Sequence, residues 1–157
     1  MPPPAIIDLS KLDLNSPIVS TEEIRRVNPQ RHEFALLDAI VHIDEANQIF
    51  VGYLDISKDD WWVRGHIPGR PLFPGVLMIE CAAQMASYLT HKLIKDDAFM
   101  GFGGMKDVKF RGTVTPPCRF IIAGRGKSIK KRRSVCECQG FIDDTMVFQA
   151  EIHGMRV

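Results

Sequence analysis

A histidine, a loop rich in proline and glycine, and a carboxylate follow one another in the middle of the chain, in an order that could perform acid/base chemistry. The stretch reads H-I-P-G-R-P-L-F-P-G-V-L-M-I-E from His66 to Glu80. Histidine changes its protonation state near neutral pH, which suits a general base. Removal of a carboxyl group from water favours its protonated form, which suits a general acid. The stretch therefore predicts a base at His66 and an acid at Glu80.

The residues between these two groups predict what positions them. Prolines at positions 68, 71 and 74 fix the backbone φ and remove N–H donors, so no regular helix can run through the stretch before Pro74. Residues 76–89 are nearly all apolar around the whole helical circumference, which predicts a buried central helix. A rigid loop should therefore deliver the chain to Gly75, at the start of that helix.

The predicted helix carries a second polar residue, Gln84, on the same face as Glu80, because residues four apart are neighbours on a helix. A buried amide needs hydrogen-bond partners. Two interpretations stay open: Gln84 orients Glu80, or it bonds to the backbone. A membrane span is not expected, because these residues interrupt the apolar run and His91 and Lys92 end it after roughly 15 residues, where a span needs about 20.

Three segments in the same order resemble the (3R)-hydroxyacyl-acyl carrier protein dehydratases of fatty-acid synthesis. The first is Thr21–Ile40 (T-E-E-I-R-R-V-N-P-Q-R-H-E-F-A-L-L-D-A-I), the second is His66–Glu80 with Gln84 downstream, and the third is Met105–Pro117 (M-K-D-V-K-F-R-G-T-V-T-P-P). The resemblance runs from about Thr21 to the C-terminus. It implies an α+β hotdog fold, in which about six antiparallel strands wrap one long helix.

The resemblance also implies a reaction, the reversible dehydration of a (3R)-3-hydroxyacyl thioester to the trans-2-enoyl thioester. His66 would take the C2 proton, and Glu80 would protonate the departing 3-hydroxyl, directly or through a water. The backbone N–H of Gly75 could bind the thioester carbonyl, because helix N-termini present unpaired donors. Gln84 would support the acid and Phe73 would gate the entrance. The chemistry needs no cofactor and no metal.

The partners implied by the resemblance are an acyl carrier protein and a second copy of the chain. The histidine of one subunit would face the glutamate of its twofold mate, so a homodimer is the minimum expected unit, and a trimer of dimers stays open. Six positive charges lie among the nine residues Arg125–Arg133. They either attract an acidic carrier protein or form a solvated hairpin tip. The alternative docking cations are Arg64, Arg70, Lys92 and Lys106.

Composition limits the other possibilities. A length of 157 residues favours one domain, predicted at 20–157 behind an extended arm at 1–19. The balance of 20 basic and 19 acidic residues gives no reason to expect a nucleic-acid partner. The first residues lack the basic and apolar regions of a signal peptide, so a cytoplasmic location is expected.

The cysteines and a phosphate-loop-like tripeptide predict no metal or nucleotide site. Cys81, Cys118, Cys136 and Cys138 contain no C-x-x-C pair and lack histidines at metal spacing, so they are interpreted as reduced core thiols. Gly126-Lys127-Ser128 lacks the first glycine of a phosphate-binding loop, because Ile121 stands in its place.

Turn signals and alternation predict the remaining elements. A capping box from Ser20 to Glu23 opens a short helix that Pro29 ends. Strands are expected at 34–43, 48–56, 98–110, 119–129, 134–142 and 146–155. The aromatic residues near the motif and on these strands line an acyl tunnel or belong to the core: Trp61, Trp62, Phe102 and Phe110.

Two departures from the family pattern and two rival functions accompany this hypothesis. The usual P-H-R-x-P-F-L-L segment starts here at Pro29, with Gln30 in place of its histidine and Glu33 in place of its second proline. These changes affect the expected chain-length preference rather than the acid and base. The rivals are a hotdog acyl thioesterase, which the histidine loop disfavours, and a non-catalytic protein associated with an acyl carrier.

Overall fold

The computed structural model describes all 157 residues. The three α-helices are α1 (Thr21–Val27), α2 (Val63–His66) and α3 (Gly75–Ile94), and single 3-10 turns form at Leu9–Lys11 and His32–Phe34. The six strands are β1 (Ala39–Asp44), β2 (Ile49–Ile56), β3 (Met100–Phe110), β4 (Cys118–Ile129), β5 (Arg133–Ile142) and β6 (Thr145–Arg156).

All six strands form one antiparallel sheet in the order β1-β2-β4-β5-β6-β3, and α3 lies across one of its faces. This confirms the predicted α+β hotdog architecture. The first strand was predicted to start at residue 34 but starts at Ala39, and residues 34–38 lie outside the sheet. The turn at His32–Phe34 and the hydrogen bond from Leu36 N to Gln84 Oε1 direct these residues toward α3 instead.

Two apolar clusters lie on opposite faces of the sheet. The larger contains 27 buried residues and includes the inner face of α3, where Cys81, Met85 and Leu89 are fully buried. The smaller contains seven buried sheet residues on the outer face, among them Val51 and Phe141. Burial on both faces explains why the central strand β4 is apolar at successive positions rather than at alternate ones.

The N-terminal arm covers the outer face of the sheet. Four apolar arm residues pack against the smaller cluster: Ile7, Leu9, Leu12 and Leu14. The side chain of Gln139 is fully buried there; its Oε1 accepts from Ile6 N at 2.8 Å and its Nε2 donates to Pro4 O at 3.0 Å. Arg119 Nη1 donates to Leu14 O at 2.8 Å. The arm is therefore attached at both ends and supplies the outer wall of a second apolar layer.

Local capping fixes the two helices that bear on the site. The predicted capping box of α1 is confirmed: Ser20 Oγ accepts from Glu23 N, and Glu23 Oε2 accepts from Ser20 N. Helix α3 begins directly after Pro74 and is followed by Lys95, which adopts the left-handed conformation with φ 56° and whose N–H donates to His91 O. It extends five residues beyond the predicted end at 89, to Ile94. None of the helices combines the length and apolar character that crossing a membrane requires.

Candidate active site

Glu80 and Gln84 lie one turn apart on α3 and are hydrogen-bonded to each other. Gln84 Nε2 donates to Glu80 Oε1 at 2.8 Å and to Phe34 O at 2.6 Å, and Gln84 Oε1 accepts from Leu36 N at 2.9 Å. Gln84 therefore bonds to Glu80 and to the backbone at the same time, and a role in orienting a catalytic acid stays a prediction. Its two backbone partners, Phe34 and Leu36, were not predicted; the only signal for them was the family-like segment that contains them.

These contacts leave one oxygen of Glu80 without a partner. The amide orientation of Gln84 is fixed, because Leu36 N requires an acceptor and Phe34 O requires a donor. Gln84 Nε2 therefore donates to Glu80 Oε1, and Glu80 Oε2 has no hydrogen-bond partner in the protein. The side chain of Glu80 is half-buried and lines a groove. The arrangement can present one O–H donor to a molecule in that groove.

The segment before the 3-10 turn is attached to α3 at the same point. Asn28, buried at the end of α1, donates from Nδ2 to Gln84 O at 2.9 Å, while its Oδ1 has no partner. Arg31 Nη1 donates to Asn28 O at 2.9 Å. The loop that supplies Phe34 and Leu36 is therefore bonded to Gln84 through both the backbone and the side chain of Gln84.

His66 ends the short helix α2, and its ring is fixed by the loop that follows. Its Nδ1 lies 2.9 Å from Leu72 O. A carbonyl oxygen only accepts, so Nδ1 carries a hydrogen and Nε2 of the neutral ring has a lone pair. His66 is exposed in the single chain, so this lone pair is available to a substrate. Such an arrangement suits a general base acting through Nε2.

The proline-rich loop is attached to the core through Phe73. Phe73 N donates to Val114 O at 2.8 Å, and its ring, 4% exposed, packs edge-on against Trp62 with centroids 5.4 Å apart. Of the aromatic residues considered for a tunnel, Trp62 is a core residue, while Trp61, Phe102 and Phe110 are about half exposed. Phe73 occupies a core position in this chain, and its role at an entrance stays a prediction.

Gly75 is the first residue of α3, and the ring of Phe110 packs directly over it. A Cβ at Gly75 would meet Phe110 Cε1 at 2.9 Å. The absence of a side chain at this position therefore accommodates an aromatic ring of β3. A thioester that binds the Gly75 N–H must share this space with a ring that is 52% exposed.

A groove of about 780 Å³ runs along the outer side of α3, and Glu80 is the one predicted site residue that lines it. Glu80 lies in its wall, between the α1 segment on one side and β3 with β6 on the other. The lining does not include His66, Phe73 or Gly75. The single chain thus brings Glu80 and Gln84 together and leaves the histidine outside the groove that Glu80 lines.

The remaining titratable groups near α3 contribute no metal site. No group of three or more His, Cys, Asp or Glu side chains is arranged to hold a metal ion.

All four cysteines are free thiols, and burial raises the pKa of Cys136 to about 12. Burial also raises the pKa of Asp38, although the hydrogen bond from Asp55 N opposes it.

Comparison with known proteins places this geometry in a family. Residues 28–151 match the FabA-like domain. The dehydratase heterocomplex ApeI:P from Xenorhabdus doucetiae superimposes with a TM-score of 0.72 at 16% identity, over 85% of this chain and 90% of that chain. A hypothetical thioesterase with coenzyme A from Streptococcus pneumoniae has a TM-score of 0.64 at 8% identity, over 88% and 97%. A putative thioesterase related to phenylacetic acid degradation from Ralstonia eutropha has 0.63 at 10%, over 74% and 83%.

At these identities the solved structures establish the shared hotdog fold and no activity. The domain match covers most of the chain, including Gln84, both candidate acid/base residues and every strand except the end of β6. The chain therefore belongs to the FabA-like domain family.

Proposed function

We propose that the protein is a lyase that dehydrates (3R)-3-hydroxyacyl thioesters to trans-2-enoyl thioesters. The observation that carries the proposal is the way in which hydrogen bonds orient the side chains of Glu80 and His66. Gln84 Nε2 bonds to Glu80 Oε1, so Oε2 of Glu80 has no hydrogen bond from the protein, and Leu72 O bonds to His66 Nδ1, so Nε2 of His66 keeps its lone pair free. An elimination requires such a pair, one proton acceptor and one proton donor.

The proposed reaction transfers two protons and eliminates one water molecule. His66 Nε2 takes the proton from C2, the C2–H electrons form the C2–C3 double bond, and the C3–O bond breaks. Glu80 Oε2 gives its proton to the departing hydroxyl, which leaves as water. Proton exchange with solvent then returns the imidazolium and the carboxylate to their starting forms. A donor at the N-terminus of α3 supports the charge that develops on the thioester oxygen.

We also propose that each site is shared between two copies of the chain, because the groove of Glu80 does not contain His66. The sheet ends at β3, an edge strand with exposed Phe102, Met105 and Phe110. Long apolar edges are places where another strand can pair. Pairing of two β3 strands would place the two α3 helices side by side and bring a histidine from the partner toward Glu80.

The test is incubation with a (3R)-3-hydroxyacyl thioester, followed by separate detection of the enoyl product and of free thiol. We expect enoyl formation, and its loss in His66→Ala and in Glu80→Gln with the dimer still folded. Mixing the two inactive variants should restore about a quarter of the activity, because half of randomly formed dimers are mixed and have one intact site of two. Full activity in either variant would contradict the mechanism.

A thioesterase is the second candidate, because proteins named as thioesterases share this fold at TM-scores near that of the dehydratase complex. In that reaction Glu80 would activate water or attack the carbonyl. The fixed His66 ring disfavours it, since hydrolysis would not need a base held outside the groove of Glu80. Release of free thiol without enoyl product would establish this alternative.

The proposed substrate class is an acyl chain attached to the pantetheine arm of a carrier protein.

A further inference from the structure

Two buried side-chain oxygens in the wall of the groove have no hydrogen-bond partner. They are Asn28 Oδ1, at the end of α1, and Gln30 Oε1, two residues further along. Both residues line the groove, as Glu80 does. Asn28 is 3% exposed, and such oxygens are rare because a buried acceptor without a donor loses its hydrogen bonds to water and gains none. No other buried side-chain nitrogen or oxygen of the chain lacks a partner.

The bonds of the surrounding segment fix its backbone and the amide of Asn28. Asn28 Nδ2 donates to Gln84 O at 2.9 Å, so the orientation of this amide is set and Oδ1 is the end without a donor. Arg31 Nη1 donates to Asn28 O at 2.9 Å and to Gln30 O at 2.8 Å. Arg31 Nη2 donates to Arg25 O at 2.8 Å. The chain thus supplies donors to these three backbone oxygens and none to the two side-chain oxygens beside them.

The groove wall offers little surface for a plain alkyl chain. Most of the residues that line it are polar or charged, and two of the apolar ones, Ala83 and Ala86, have only a methyl side chain. An alkyl chain binds by removing its CH2 groups from water against apolar surface. An acyl group that carries a polar atom of its own matches this wall better.

Helix α3 gives the separation between the acid and the two oxygens. Gln84, whose carbonyl holds Asn28, follows Glu80 by four positions, which corresponds to about 6 Å along the helix. An extended chain advances about 1.2 Å per bond, so roughly five bonds span this distance. If C3 of the substrate lies at Glu80, a group near C8 reaches the level of Asn28.

We infer that Asn28 Oδ1 and Gln30 Oε1 form a subsite that accepts a hydrogen bond from a hydroxyl at the far end of the acyl group. The substrate class is then a (3R)-3-hydroxyacyl thioester whose chain ends in a hydroxyl and not in a methyl group. The half-buried Gln30 side chain turns to admit the hydroxyl. This rests on the proposed function, because it specifies the acyl group that the same site dehydrates. Gln30 stands where the family pattern has histidine, so the subsite is a feature of this chain.

The test compares two N-acetylcysteamine thioesters of equal length and shape. The acyl groups are 3,8-dihydroxyoctanoyl and 3-hydroxynonanoyl, which end in a hydroxyl and in a methyl group. We expect kcat/KM of the parent protein to be about tenfold or more higher for the hydroxyl form, because a site built to bond a hydroxyl leaves its own groups unpaired with the methyl form. Two further pairs, with the terminal hydroxyl at C6 and at C10, cover shorter and longer reaches.

Variants of the two residues should change this preference in a defined order. Gln30→Met and Asn28→Leu each remove one acceptor and should lower the ratio of the two kcat/KM values, whereas Gln30→Glu keeps an acceptor and should retain it. Both substrates are measured on the same sample, so a loss of folded protein does not alter the ratio. Gln139→Met is the matched control, with a buried glutamine changed on the opposite face of the sheet, and should keep the parent ratio.

A ratio near one at all three lengths in the parent protein would overturn the inference, as would a ratio that Asn28→Leu and Gln30→Met leave unchanged. A weaker dimer in these variants without a change in the ratio would assign the missing donors to the partner subunit and also overturn it. Failure of the parent to form any enoyl product would refute the proposed function instead. Calorimetric titration with amide analogues that lack the 3-hydroxyl and end in a hydroxyl or a methyl group then still tests the subsite.

Discussion

Replacing Gln84 by Met removes the amide while keeping a side chain of similar length. Gln84 is 2% exposed, and the change deletes its hydrogen bonds to Leu36 N, Phe34 O and Glu80 Oε1. Leu36 is buried, so its N–H would be left without a partner, at a cost of about 1–3 kcal/mol. Phe34 is 54% exposed, and its carbonyl can turn to water. We expect the free energy of unfolding to fall by about 2–4 kcal/mol.

The same substitution should lower activity through the position of Glu80. Without Gln84 Nε2, the Glu80 carboxyl group loses its hydrogen bond at Oε1 and is free to rotate. A displacement of about 1 Å at a reacting group can reduce the rate by roughly a hundredfold. We expect kcat for dehydration to fall by about 10- to 100-fold with KM little changed, because the groove keeps its shape.

Gln139→Met provides a matched control. Gln139 is also a fully buried glutamine, and it makes two hydrogen bonds to the N-terminal arm on the opposite face of the sheet. Denaturant unfolding of the two variants should show comparable destabilisation, while steady-state kinetics should show a loss of kcat only in Gln84→Met. If both variants retain kcat within about threefold of the parent, Gln84 does not position the acid and the reasoning is refuted.

Three further predictions follow from packing and from titration. Gly75→Ala should lower the free energy of unfolding by about 1–3 kcal/mol, because the added methyl group meets the ring of Phe110. In a Phe110→Leu background the same change should lower the free energy of unfolding by less, and an equal loss in both backgrounds would show that the ring is not the cause. Burial raises the pKa of all four cysteines, but Cys118 alone is half-buried rather than buried, so a thiol reagent at pH 8 should label only Cys118 until denaturant is added. Rapid labelling of a second thiol in the native protein would refute this. Burial raises the pKa of Asp38, so the folded state holds that proton more tightly than the unfolded state and loses stability as pH rises through the folded value. Asp38→Asn should therefore melt at a higher temperature than the parent at pH 7 and lose this advantage near pH 3; a melting difference independent of pH would count against it.

The features predicted correctly from the sequence depend on neighbouring residues. The capping box at Ser20, the end of the proline loop at Pro74 and the alternation of β5 and β6 are each fixed by side chains within a few positions. The order of these elements, together with the motif from His66 to Glu80, was sufficient for the architecture and for the FabA-like domain family, while the narrower dehydratase family stays a proposal. The start of the first strand was wrong, because the backbone of Leu36 bonds to a side chain 48 positions away.

The placement of the N-terminal arm required the tertiary structure. Pro-rich and weakly periodic, its sequence predicted only an extended segment. Its contacts with Gln139 join residues more than 130 positions apart. The apolar face that it covers exists only after β1, β2, β4 and β5 have paired.

The chemistry divides in the same way. The sequence by itself determined which residue types lie at His66, Gly75, Glu80 and Gln84, and their spacing fixed that the last two share one face of a helix. Only the tertiary structure decided that Gln84 is saturated by distant backbone groups, that Phe110 covers Gly75, and that His66 lies outside the groove of Glu80. Spacing along one helix is set by its 3.6-residue turn, whereas these three facts depend on how separate elements pack, which no local pattern encodes.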